Sequence, residues 1–402
     1  MWPLLRQLAV FVSAVRGLED TWTLVRLREA AHSAGAVCLD GSPGAYYIRK
    51  PLEATGDSKW LIFNEGGGWC LTDENCYERS LTDLGSSDAY PETFGPHEAQ
   101  DLFDAFPAFS VVYVKYCDGG SMTGNRQEAI LVSGRPVYYR GRRLLDAVLD
   151  HLLANGLAGA SQLLYAGCSA GATTTYQNID YVRGRMSADA KVLGLTDAMF
   201  TLHLDRDFAG QENYYTRQFV WGYKAWNSSA GVNKACSQLL GDDAWRCFHG
   251  ATVAQFVETP LLIVNSKFDT WQAGAVLGLN ATECPGSVEV DGKVMLCDNS
   301  TEASRSEWSF WSGYGDRMVA ALTSSVPRRH GAFLTNCPVH CMTSGGPWRD
   351  PTFPGTRLNA AVLQWYDWAL DNYGNASWPA PRWLAGHVYE HGCVQLERVL
   401  LT

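Results

Sequence analysis

Short apolar runs alternate with longer amphipathic stretches along most of the chain. Trp60-Leu61-Ile62-Phe63, Ser110 to Tyr116, Leu163-Leu164-Tyr165-Ala166, Val192 to Thr196 and Pro260 to Asn265 each read as a buried strand. Arg142 to Asn155 reads as a helix, with Leu145, Val148, Leu149 and Leu152 on one face and Gly156 as its stop. Thr356 to Asn372 repeats that pattern and ends near Gly374. Strands alternating with helices predict an α/β class: a mainly parallel sheet covered by helices on both faces. In such a fold ligands bind beyond the carboxyl ends of the strands. Met199 to Glu258 breaks the rhythm. It carries Tyr214, Tyr215, Phe219, Trp221, Tyr223, Trp226 and Trp245 and reads as an aromatic-rich insertion. Its rings serve either as core or lid packing or as a wall for a sugar or acyl group.

The chain has 402 residues, enough to bury a large core, and no linker, repeat or low-complexity run divides it. We therefore expect one domain over 21–402, preceded by 1–20 as a signal peptide or N-terminal extension. In that extension Leu8 to Ala14 follows Arg6 and offers a short apolar core. A formal net charge of −10 argues against a general nucleic-acid binder. It leaves room for a polyanionic substrate in a local basic cleft. No stretch is long and apolar enough to predict a membrane span.

The chemistry starts at Gly167-Cys168-Ser169-Ala170-Gly171. An apolar strand precedes it and a helix-compatible run follows, the setting of a nucleophile elbow. The glycines allow a tight turn that lifts the Ser169 hydroxyl above the sheet edge. A second strand, Trp60 to Phe63, leads into Asn64-Glu65-Gly66-Gly67-Gly68-Trp69-Cys70. Consecutive glycines after a strand can aim N–H groups at a developing oxyanion. Gly67, Gly68 and Ala170, the residue after the nucleophile, are the expected donors. A phosphate loop is disfavoured, because no Gly-Lys-Ser/Thr follows and Trp69 would crowd a phosphate.

A nucleophilic serine needs a base, and the base an orienting carboxylate. Asp269 stands just beyond the strand that ends near Asn265, which is where the acid belongs in the order Ser, acid, His. Asp197, at the end of Val192 to Thr196, is its rival. Of nine histidines, His330, His340, His387 and His391 follow Asp269. His340 is the expected base, since it lies in a loop bracketed by Cys337 and Cys341. His387 and His391 lie in the tail.

Twelve cysteines without a CxxC pair or a zinc-type cluster point to disulfides and an exported protein. Glycosylation sequons beginning at Asn227, Asn280, Asn299 and Asn375 agree. Short-range bridges are expected for Cys70–Cys76, Cys236–Cys247 and Cys284–Cys297. Cys168 and Cys341 adjoin Ser169 and His340, and the sequence leaves them either bonded or both free.

Together, Glu65 to Cys70, Gly167 to Gly171, Asp269-Thr270-Trp271-Gln272 and Cys337-Pro338-Val339-His340-Cys341 resemble the pectin acetylesterase family, which includes Notum-type carboxylesterases. Ala36 to Ser42 and Tyr116-Cys117-Asp118-Gly119-Gly120 resemble further family blocks, and the resemblance runs from about Val37 to His340. It implies an α/β-hydrolase-like fold and a Ser–His–Asp esterase without metal or cofactor, whose nucleophile, acid and base fall on Ser169, Asp269 and His340. It implies acetate release from an acetylated pectin-like polysaccharide. The Notum branch would instead remove a longer fatty acyl group from a protein. A catalytically silent carbohydrate-binding protein on the same scaffold is a further alternative. The Gly-Gly-Gly-Trp-Cys loop, the Gly-Cys-Ser elbow and His340-Cys341 are closer to the plant-type branch. Tyr176 to Asp180 departs from the Leu-His-Cys-Asp stretch of that branch, Leu193 to Asp197 lacks its cysteine, and Gly171-Ala172 replaces Gly-Gly. The sequence sets no oligomeric state.

Overall fold

Neighbouring positions of the strands feed two different cores. Leu61 and Phe63 join one apolar cluster while Ile62 joins the other. Leu164 and Ala166 likewise part from Leu163 and Tyr165, because successive side chains of a strand point to opposite faces. With both faces buried, the strands read as continuous apolar runs, as expected for a parallel sheet. The computed structural model describes residues 21–53, 58–93, 95, 99–279, 288–290, 293–295, 302–343, 348, 357–375, 379–385 and 396–399. The expected N-terminal extension therefore lies outside the described residues.

Among the described residues the main sheet has ten strands. They are β1 (Trp22–Arg26), β2 (Ala45–Arg49), β3 (Lys59–Asn64), β4 (Ser110–Val114), β5 (Gln162–Cys168), β6 (Lys191–Asp197), β7 (Leu261–Ser266), β8 (Gly331–Thr335), β9 (Arg382–Ala385) and β10 (Leu396–Val399). Their spatial order is β1-β2-β4-β3-β5-β6-β7-β8-β9-β10. Every neighbouring pair from β4 across to β9 is parallel. The pairs β1–β2, β2–β4 and β9–β10 are antiparallel. One face is covered by residues of the helices Gly141–Ala154 and Ala170–Arg185. The other is covered by Leu102 and Phe103 and by the helix Leu358–Asp371, which buries Val362, Trp365 and Ala369. Among the described residues, no helix is long and apolar enough to cross a membrane.

The strand expected over Ser110 to Tyr116 ends at Val114. Tyr116 leaves the ladder because its N–H donates to Glu65 Oε2 at 2.7 Å. In the aromatic insertion, Tyr215, Phe219 and Trp226 are fully buried. Phe219 stacks on Phe248, with centroids 4.4 Å apart, and meets Trp69 edge-on at 5.1 Å. Core packing thus accounts for these three rings, while Tyr214 stays exposed.

Two buried histidines make stability sensitive to acid. His330 Nδ1 accepts the Leu261 N–H at 3.1 Å, and Nε2 lies 3.1 Å from the Val257 carbonyl, which fixes a neutral ring protonated on Nε2. His249 is fully buried, and neither ring nitrogen has a partner among the described residues. Burial pushes both rings down to about 3. An unfolded imidazole titrates near ~6.5. Each ring's contribution is therefore complete above about pH 6.5 and is lost as pH falls toward 3. Buried Asp118 and Asp197 have the opposite sign. Burial raises them to about 7 and about 6, so their contribution declines as pH climbs from the ordinary carboxylate range. The histidine effect is isolated by difference: His249→Phe should reduce the stability lost between pH 7 and pH 5 by about 2 kcal/mol. Urea midpoints at the two pH values measure it. Identical losses in wild type and variant would rule it out.

Candidate active site

Loops at the carboxyl ends of β5, β7 and β8 meet at one place. Ser169 directly follows β5 and stands at φ 55°, ψ −127°. A Cβ on Gly167 would fall 2.3 Å from the Gly171 carbonyl oxygen, and one on Gly171 would fall 1.9 Å from that of Asn64. Only glycine lets the turn, the helix start and the end of β3 approach so closely. Gly171→Ala should therefore lower stability by about 3 kcal/mol or more, the upper end of overpacking, because both of its near neighbours are backbone carbonyls. A urea midpoint within experimental error of wild type would contradict this.

Asp269 lies between β7 and the helix Thr270–Ala275 and caps that helix. Its Oδ1 accepts the N–H groups of Trp271 at 3.0 Å and Gln272 at 2.9 Å. The carboxylate is buried and faces His340 Nδ1, at 2.9 Å from Oδ1 and 3.0 Å from Oδ2. His340 Nε2 is 3.0 Å from Ser169 Oγ. A carboxylate opposite Nδ1 assigns the ring proton to Nδ1 and leaves Nε2 as the acceptor for the serine hydroxyl. Trp271 stacks beside the imidazole, with the ring planes 30° apart and the centroids 5.7 Å apart.

The glycine loop after β3 is held by its carbonyls. Arg79 Nη1 donates to Gly67 O at 2.8 Å, and the Tyr116 hydroxyl donates to Gly68 O at 2.7 Å. Gly67 and Gly68 have φ of 142° and 67°, which suits glycine. Among the described residues, the N–H groups of Gly67, Gly68 and Ala170 have no acceptor. Ser121 ties loop to elbow, because its hydroxyl donates to Ala170 O at 2.7 Å and accepts Trp69 Nε1–H at 2.7 Å. Asp118 fixes the turn that carries Ser121, accepting the N–H groups of Gly120 at 3.2 Å and Met122 at 2.9 Å. Lys115 forms an ion pair with Glu65, the residue just before the three glycines.

Sequence reasoning did not single out Arg79, Tyr116 or Ser121. Tyr116 begins one of the blocks of the resemblance, which is a signal that was there to use. Arg79 looks like any basic residue on a helix. Asp197 ends β6 and turns its carboxylate to the backbone beyond His340, where Oδ2 accepts the N–H groups of Met342 at 2.6 Å and Thr343 at 2.8 Å. His330 is committed to the core, while His387 and His391 lie outside the described residues.

Cys70–Cys76 and Cys236–Cys247 are bonded, and the Cys284–Cys297 pair lies outside the described residues. Cys168 is bonded to Cys341, and an unforeseen bridge joins Cys38 to Cys117. The departing stretch after the elbow is structural. Gln177 Nε2 donates to Cys247 O at 2.6 Å, and Asp180 accepts the Thr259 N–H at 2.8 Å.

The profile of the family described as Pectinacetylesterase matches residues 18–379. The chain belongs to this family. Pectin acetylesterase 11 of Arabidopsis thaliana is 31% identical over 91% of this chain and 92% of its own length. Palmitoleoyl-protein carboxylesterase notum1a of Danio rerio is 26% identical over 83% of this chain and 64% of its own. The crystal structure of the Wnt deacylase Notum from Drosophila superposes with a TM-score of 0.69 at 20% identity, covering 87% of this chain and 94% of that one. The fold is therefore α/β-hydrolase-like. As a member of the pectinacetylesterase family, the protein is a carboxylic ester hydrolase that acts on acyl esters.

Proposed function

We propose that the protein is a serine esterase that removes acetyl groups from a pectin-like polysaccharide through an acyl-enzyme. The observation that carries this reading is the hydrogen-bonded chain from Ser169 Oγ through His340 to Asp269. Ser169 attacks the ester carbonyl while His340 Nε2 takes its proton. Asp269 holds the ring in the tautomer this requires and stabilises the imidazolium. The N–H groups of Gly67, Gly68 and Ala170 bind the oxyanion, and one such donor typically contributes about 2.7–4 kcal/mol to the barrier. His340 then protonates the leaving alcohol and activates the water that frees the acid.

Two observations support a short acyl group on a plant-type substrate. The pectin acetylesterase above is the more similar of the two curated relatives. Trp271, beside His340, is backed by Trp69 at 5.6 Å and Tyr215 at 5.9 Å, and the latter two are buried. We take this aromatic packing beside the base to favour a short acyl group over a long one. We assign 21–402 to one esterase domain, supported by the single sheet from β1 to β10. We place the enzyme outside the cell, supported by its disulfides and by exposed sequon residues Asn227 and Asn375.

The test is a series of 4-nitrophenyl esters from acetate to dodecanoate, with acetylated pectin assayed alongside. Highest kcat/KM on acetate with acetate released from pectin is expected. Preference for octanoate or longer, with no release from pectin, would replace this reading by a fatty-acyl esterase.

A further inference from the structure

The base stands on a backbone turn that its own sequence does not favour. Cys341, directly after His340, has φ 60°, a left-handed conformation that a cysteine adopts only when its surroundings impose it. Two restraints impose it. The Cys168–Cys341 disulfide spans 173 residues and joins the residue before Ser169 to the residue after His340. Beyond the turn, Asp197 takes the N–H groups of Met342 and Thr343. A carboxylate oxygen of Asp197 lies within 4.8 Å of both sulfurs, so the two restraints form one compact unit beside the site. While the sulfurs are bonded to each other, neither is a thiolate free to ligate a metal.

We propose that the Cys168–Cys341 disulfide, seconded by Asp197, positions His340 over Ser169, so that turnover depends on the oxidised state of this one bridge. The proposal rests on the roles given above to Ser169 and His340. With the bridge open, Cys341 relaxes to negative φ and the imidazole moves off Ser169 Oγ. A displacement of about 1 Å at a reacting group can cost about 10^2-fold in rate. Substrate contacts made by other loops are untouched, so kcat falls and KM does not. Cys341 is half-buried and Cys168 fully buried.

The experiment compares wild type, Cys168→Ala/Cys341→Ala, Cys168→Ala/Cys341→Asn and the control Cys236→Ser/Cys247→Ser on 4-nitrophenyl acetate, with folding checked by circular dichroism. The Ala/Ala variant should lose about 10^2-fold in kcat at near-constant KM, while the control keeps kcat. Asparagine tolerates the left-handed region better than other non-glycine residues, so the Ala/Asn variant should recover about 10-fold. Equal kcat in wild type and Ala/Ala overturns the proposal, as does an Asn variant no better than Ala. Wild type also answers the question if the variants do not fold. A water-soluble phosphine supplies two electrons per bridge, and phosphine, disulfide and water give phosphine oxide and two thiols. After partial reduction, alkylation and peptide mapping, activity should follow the fraction of Cys168–Cys341 left intact. Activity that follows another bridge, or none, overturns the proposal. Ser169→Ala is run in parallel. Full activity in that variant rejects the serine mechanism itself, whereas its inactivity beside an unaffected Ala/Ala variant rejects only the disulfide's role.

Discussion

Replacing Ser169 by alanine is expected to lower kcat on 4-nitrophenyl acetate by about 10^6-fold while leaving the fold intact. The size of the effect follows from interdependence. In the proposed mechanism, without Oγ, His340 has no proton to accept and Asp269 no imidazolium to stabilise, so removing the nucleophile alone costs nearly as much as removing all three members. In that mechanism the residual rate comes from the proposed oxyanion donors and from binding. The structural cost is small, because the fixed features of the elbow are the backbone turn and the Ser169 N–H, which donates to Asp197 O at 2.9 Å and survives the substitution. A fluorophosphonate probe should label wild type and not the variant. A purified variant that keeps more than about a hundredth of wild-type kcat would put the nucleophile elsewhere.

Asp269→Asn should lower kcat by about 10^4-fold with little change in melting temperature. Asparagine is as good a helix N-cap as aspartate, so the Thr270–Ala275 helix keeps its cap. What changes is the partner of His340 Nδ1. An amide can turn its NH2 toward the ring, which would favour the tautomer protonated on Nε2 and leave Ser169 without a base. The imidazolium would also lose its countercharge. Asp197→Asn should fall by only about 10-fold, since its amide oxygen can still accept a backbone N–H from the segment after His340. Comparable losses in the two variants would show that Asp269 has no special role.

Much of the fold was legible because a parallel sheet buried on both faces leaves an unmistakable local record. The strand at Gln162–Cys168 contains the apolar run Leu163 to Ala166, and the helix Gly141–Ala154 contains the stripe Leu145, Val148, Leu149 and Leu152. The elbow was legible for a similar reason. Gly167 and Gly171 are demanded by carbonyls within 2.3 Å of any added Cβ, and a demand that strict is written into residue type. Asp269 and Asp197 were harder to separate. Each ends or follows a strand at the same edge of the sheet, and each is buried. Local pattern says nothing of which carboxylate faces the ring and which faces the backbone.

By itself, then, the sequence determined the layered α/β architecture, the sharp turn at Ser169 and the glycine loop after β3, because each depends on side-chain volume, polarity or backbone freedom within a few residues. Only the tertiary structure decided the rest. It set His340 Nε2 3.0 Å from an oxygen 171 residues away, paired Cys168 with Cys341 and Cys38 with Cys117, turned Asp197 toward Met342 and Thr343, and drew Arg79, Tyr116 and Ser121 around the glycine loop. Such pairings depend on how the loops after β3, β5, β6, β7 and β8 converge at one edge of the sheet. Strand order and chain path fix that convergence, and no local pattern of residues carries it.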